Sequence, residues 1–136
     1  WPRARGGEAR PSSGGGPPSG RINPMAIEVL ENAGIDTSGY RSKRWDEFSA
    51  PDAPTMRVVI TVCDSAAQET CPYWPGSPVQ IHWGYPDPSH AGSTPEEKRA
   101  AFEATRRAIG ERMHQLAQIP FDTLSDSQLR ARLDTL

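Results

Sequence analysis

The sequence predicts an α/β fold: a parallel sheet with helices packed against it. Three observations lead there. Arg57 to Val62 holds the nearly continuous apolar set Val58, Val59, Ile60 and Val62, the pattern of a strand covered on both faces. A shorter strand pattern, Val79 to Trp83, follows the turn-rich Pro75, Gly76 and Pro78. Capped helical patterns precede and follow these runs, and strands alternating with helices build an α/β layer structure.

Order is expected to begin at Asn23, which caps a helix with Pro24 in first position and Met25, Ile27, Leu30 and Ala33 on its apolar face. Gly34 stops it. A brief helical turn over Ser42 to Phe48 directs Trp45 and Phe48 toward a core, before Pro51 and Pro54 close it. After the two strands, Thr94 caps a long helix with Pro95 in its first turn and Glu97 completing a capping box. Phe102, Ile109, Met113 and Leu116 recur on its buried face. A final helix starts after Ser125, with Gln128 as the second half of another capping box and Leu129, Leu133 and Leu136 as its stripe. The chain contains no internal repeat.

Residues 1 to 20 are mostly Gly, Pro, Ser and Arg, and their apolar side chains are too few to offset the entropy of ordering them. They are expected to form a disordered tail, with Arg3, Arg5 and Arg10 solvated, and residues 21 to 136 form the single domain that this length permits. The 15 basic and 17 acidic residues give a net charge of -2, which argues against nucleic acid or an anionic membrane as a partner. No apolar run approaches the roughly 20 residues of a membrane helix, and the start is not a signal peptide. The expected compartment is the cytoplasm. There the two cysteines, Cys63 and Cys71, are thiols at rest, so redox chemistry or metal binding comes before a permanent disulfide.

In an open parallel sheet, reactive groups collect beyond the carboxyl ends of the strands. Cys63 directly follows the first strand and Asp87 lies four residues after Trp83, so thiol and carboxylate are expected on one rim. Asp87 stands between Pro86 and Pro88, which stiffen its loop and suit an acid that protonates a leaving oxygen. On spacing alone, a turn aspartate satisfying nearby amides is the commoner explanation. Cys63 and Cys71 are joined by a polar stretch that suits two helical turns, which would hold the residues roughly 12 Å apart along the axis. A disulfide needs Cα atoms within about 7 Å. Joining them therefore requires the segment to loop out, while the helix start favours the Cys63 thiolate. Two unrelated buried thiols are an equally good reading of the spacing. A zinc site from Cys63, Cys71, His82 and His90 is disfavoured by the long cysteine spacing. His82 and Trp83 read as a strand end, His114 as a helix surface residue, and Trp45, Trp74 and Trp83 as packing anchors. Neither a glycine-rich nucleotide loop nor a Ser, His, Asp triad is recognisable.

Several blocks together resemble a known family. Gly20-Arg21-Ile22-Asn23-Pro24, Ile35-Asp36-Thr37-Ser38 and Ser42-Lys43-Arg44-Trp45-Asp46-Glu47-Phe48 are similar to bacterial arsenate reductases of the low-molecular-weight tyrosine phosphatase superfamily. So are Val59-Ile60-Thr61-Val62-Cys63-Asp64 with Cys71-Pro72, and His82-Trp83-Gly84-Tyr85-Pro86-Asp87-Pro88. The resemblance runs from about Gly20 to the end. It implies a three-layer, phosphatase-I-like fold with a four-stranded parallel sheet, and a three-cysteine relay that reduces arsenate to arsenite. In that relay Asp87 matches the acid that protonates departing oxygen. Cys63 matches the thiol that attacks the thiol-arsenic adduct, and Cys71 the thiol that then captures Cys63 in a disulfide. The implied reductant is thioredoxin or a similar external dithiol, with no bound cofactor and no metal.

No Cys precedes Cys63, so the family's oxyanion-binding loop, a Cys and an Arg separated by five residues, is missing along with the first strand. With Trp1 where a start would carry Met, and an abrupt composition change at residue 20, a truncated gene or shifted reading frame is expected. Such a chain would be inactive on its own and marginally stable. Two other functions remain open: a tyrosine phosphatase of the same superfamily, which does not need the cysteine pair, and a non-catalytic, redox-responsive dithiol binding module.

Overall fold

The computed structural model describes residues 20 to 53, 55 to 63, 74 and 76 to 136, with the backbone alone for Cys63. The expected disordered tail, apart from Gly20, and the segment joining Cys63 to Cys71 lie outside the described residues.

Helix α1 spans Pro24–Asn32, and the Asn23 side chain accepts from Met25 N–H at 2.9 Å. Its end is a Schellman motif: Ile35 N–H donates to Leu30 C=O at 3.0 Å and Gly34 N–H to Glu31 C=O at 2.9 Å. That geometry requires Gly34, at φ +79°. Met25, Ile27 and Leu30 of the expected face are half-buried. Val29 is its buried residue, while Ala33 is exposed. The expected turn at Ser42 to Phe48 reduces to a 3₁₀ turn, Trp45–Phe48, whose Trp45 and Phe48 are half-buried and stay outside the core.

Strands β1, Val58–Cys63, and β2, Val79–Tyr85, pair in parallel. The second runs two residues beyond the expected Trp83, through Gly84 to Tyr85. Among the described residues the sheet has these two strands. Val79 and Trp83 are buried, with Ile81 half-buried between them, and Gln80, His82 and Gly84 are exposed, so β2 alternates as a strand with one covered face. Val58 to Ile60 are half-buried and Val62 is 41% exposed, so the described residues do not give β1 the cover on both faces that its composition suggested. Gly76 ends the turn before β2 at φ +86°, where an added Cβ would meet Thr55 Cγ2 at 2.7 Å.

Helix α2, Pro95–Leu116, begins at Thr94, whose side chain accepts from Glu97 N–H at 3.2 Å. The capping box does not close as expected. The Glu97 carboxylate reaches one residue further back, to Ser93 N–H at 2.8 Å. Phe102, Ile109, Met113 and Leu116 are half-buried. Arg99 pairs with Glu28 at 3.2 Å and ties α2 to α1. Helix α3, Asp126–Leu133, has the full capping box: Gln128 N–H donates to Ser125 Oγ at 3.3 Å and Ser125 N–H to Gln128 Oε1 at 3.0 Å.

Among the described residues the core is small and sits under β2. Val79, Ile119, Leu129 and Leu133 are buried together, with Val58, Ile81, Leu116 and Phe121 packed at the margin. Arg57 fastens the start of β1 to the same region, donating to Leu124 C=O at 2.6 Å and pairing with Asp126 at 3.6 Å. No described helix is long and apolar enough to cross a membrane.

Candidate functional site

Parallel strands end on the same side of a sheet, so the carboxyl ends of β1 and β2 form one rim. Cys63 closes β1, and its register partner is Tyr85, the last residue of β2. Asp87 follows two residues later. The backbone thus brings the Cys63 and Asp87 positions to one edge, while Cys71 lies outside the described residues. The approach to that edge is irregular: Thr61 pairs with His82 but Cys63 with Tyr85, so β2 carries one extra residue at Trp83 and Gly84. Such a bulge bends a strand and redirects the side chains beyond it. Gly84 within a strand pattern is its sequence signal.

Asp87 begins a 3₁₀ turn, Pro88–His90, and caps it. Its Oδ1 accepts from Ser89 N–H at 2.9 Å and from Ser89 Oγ–H at 2.7 Å, while Oδ2 lies 3.6 Å from His90 Nε2. The Ser89 hydroxyl bond, above all, holds the carboxyl below its ordinary pKa; partial burial opposes this, and the Ser89 amide and His90 reinforce the lowering. Asp87 is therefore a carboxylate at neutral pH. The side chain satisfies the Ser89 amide of its own turn, as the turn interpretation of its sequence context expects. Ser89 was missed from the sequence, although Asp-Pro-Ser is a capping pattern that points to it, and His90 was weighed there only as a zinc ligand.

The remaining candidates divide plainly. His82 Nδ1 lies 2.7 Å from Thr61 Oγ1 across the exposed face of the sheet. His90 belongs to the Asp87 turn. Among the described residues no three His, Cys, Asp or Glu side chains gather as a metal site. Trp74 and Trp83 are 7% and 6% exposed and pack as anchors, whereas Trp45 is half-buried; His114 is exposed on α2. Near the rim, the Tyr85 hydroxyl is buried and has no hydrogen-bond partner among the described residues. Arg112 of α2 lies 5.4 Å from the ring centroids of both Trp83 and Tyr85. The sequence did not signal this pairing, since it depends on how α2 crosses β2.

Comparison with known proteins places this geometry in a family. The model of the family described as "Low molecular weight phosphotyrosine protein phosphatase" matches residues 5 to 129, beginning inside the Gly- and Pro-rich stretch. An arsenate reductase of Halalkalibacterium halodurans is 36% identical over 97 residues, covering 71% of this chain and 67% of the relative. Arsenate reductases of Bacillus licheniformis and Bacillus subtilis are 39% and 36% identical, with the same coverage. The parallel strands with flanking helices agree with such a fold, and the chain belongs to the low molecular weight phosphotyrosine protein phosphatase family, grouping within it with the arsenate reductases, which makes it by family an enzyme.

Proposed function

We propose that this chain carries the acid and the two later thiols of arsenate reduction. Three things support the reading: the names of its relatives, the position of Cys63 at the end of β1, and the register that sets it opposite Tyr85, two residues before Asp87. The register is the observation that carries it, because it lets an acid and a thiol act on one bound group.

In the proposed sequence a cysteine outside these 136 residues attacks arsenate, and Asp87 supplies the proton that lets an oxygen leave as water. Cys63 then attacks the sulfur of the thiol-arsenic adduct. The electron pair of the broken S–As bond stays on arsenic, which leaves as arsenite. Cys71 next attacks Cys63, forming the Cys63–Cys71 disulfide and releasing the first thiol. Two thiols have given up two electrons and two protons, matching the change from arsenic(V) to arsenic(III). A thioredoxin-like dithiol then reduces the disulfide by exchange. A cytoplasmic setting suits that cycle, since the resting thiols there are kept reduced.

The charged state of Asp87 bears on the first step. An arriving oxyanion is a like charge and raises the affinity of the carboxyl for a proton. Substrate binding therefore prepares the acid that the free protein lacks. The Cys63–Cys71 pair favours the reductase over a phosphatase, whose chemistry has no need of it.

Mass mapping of the full chain after mild oxidation with diamide tests the reading. The expected product is a monomer lacking two hydrogens, with the Cys63 and Cys71 peptides joined and separated again by reduced thioredoxin. Arsenite release by the chain alone is expected to be absent. Oxidation that only links separate chains, or leaves both thiols free, would remove the relay.

A further inference from the structure

A concavity of about 380 Å³ opens beside β2, where α2 and the C-terminal segment converge. Its lining includes His82, Trp83, Arg112, Arg130, Leu133 and Asp134, and Asp87 is not part of it. Two arginines, Asp134 and the terminal Leu136 therefore share this space.

Arg112 is the better fixed of the two cations. Its guanidinium lies 5.4 Å from the Trp83 and the Tyr85 ring centroids, a placement that orients the cation against two aromatic rings. Rings satisfy charge without accepting the in-plane N–H bonds by which a guanidinium grips an anion. Among the described residues no carboxylate pairs with it, although six others of its kind (Arg41, Arg44, Arg57, Arg99, Arg106 and Arg107) have acidic partners. Arg130 donates from one nitrogen to the Gln80 carbonyl at 3.2 Å, which leaves further donors on the same group. Asp134 forms no ion pair with either arginine among the described residues.

We propose that this cavity is a second anion site, separate from the Cys63 and Asp87 rim, that takes a small oxyanion of the phosphate class between Arg112 and Arg130. Arg112 is preoriented by the rings, and Arg130 by its bond to the edge of β2. The site does not depend on the arsenate reading.

Titration of the full chain with inorganic phosphate at constant ionic strength, followed by amide NMR shifts, decides the matter. Saturable shifts are expected at residues 80 to 83, around Arg112 and at residues 130 to 136. Arg130 is exposed on α3, so Arg130→Gln should fold normally while weakening phosphate about tenfold or more, the scale of one lost charge-assisted contact. Arg112→Gln should weaken it similarly, with Arg112→Lys retaining part of the affinity, and Asp134→Asn should tighten it. Shifts that stay linear in phosphate, that are unchanged in a folded Arg130→Gln, or that centre on Asp87 would overturn the proposal.

Discussion

Asp87 illustrates how one side chain can answer to two demands. Its bonds from the Ser89 amide and hydroxyl stabilise the ionised form, which is what a turn needs and the reverse of what a proton donor needs. Removing the hydroxyl separates the two. In Ser89→Ala the Asp87 pKa should rise toward the ordinary carboxylate range, read from the pH dependence of its side-chain carbon resonance. The sign for stability follows from linkage. A carboxyl with a depressed folded pKa adds stability above its unfolded pKa, and that increment disappears as pH falls through the folded value. Ser89→Ala should therefore lose less stability on acidification than the parent chain. An unchanged Asp87 titration in the variant would mean that the hydroxyl bond does not control the carboxyl.

At the level of elements, α3 contributes more than its eight residues suggest. Its capping box sets where it begins, and that start aims Leu129 and Leu133, at 0% and 2% exposure, into the space under β2. The same start brings Asp126 to Arg57 and Arg130 to Gln80, so α3 touches the sheet at two polar points and one apolar stripe. Leu129→Ala should cost about 2 to 5 kcal/mol, because deleting a fully buried leucine leaves a cavity that the core closes only partly. Ser125→Ala should cost about 0.5 to 2 kcal/mol, the range for losing an N-cap. Urea unfolding of both variants checks the order. If Ser125→Ala proves the more damaging, α3 is held by its cap rather than by its packing.

For the whole molecule, the distribution of buried surface matters most. The described core lies under β2, while Val62 of β1 is 41% exposed. A small core leaves little margin over the entropy of ordering the chain. Calorimetry is expected to give a broad transition below about 60 °C, within or under the usual range for small domains. Val62→Lys should slow aggregation on heating, since charge on an apolar strand discourages association between chains. A sharp, reversible transition well above that temperature would contradict this view.

Much of this protein is local and was therefore legible in its residues. Asn23 with Pro24, Thr94 with Pro95, and Ser125 with Gln128 start their helices because caps act within three or four residues. The apolar runs locate both strands, and their parallel pairing sets Cys63 and Asp87 on one rim. The structure decided what depends on elements meeting. It added Val29 to the buried side of α1, extended β2 through the bulge at Gly84, and brought Arg112 over Trp83 and Tyr85. It also placed Ser89 and His90 around the Asp87 carboxyl. Those outcomes follow from strand register and helix crossing, which join residues far apart in the chain and are encoded by no single local pattern.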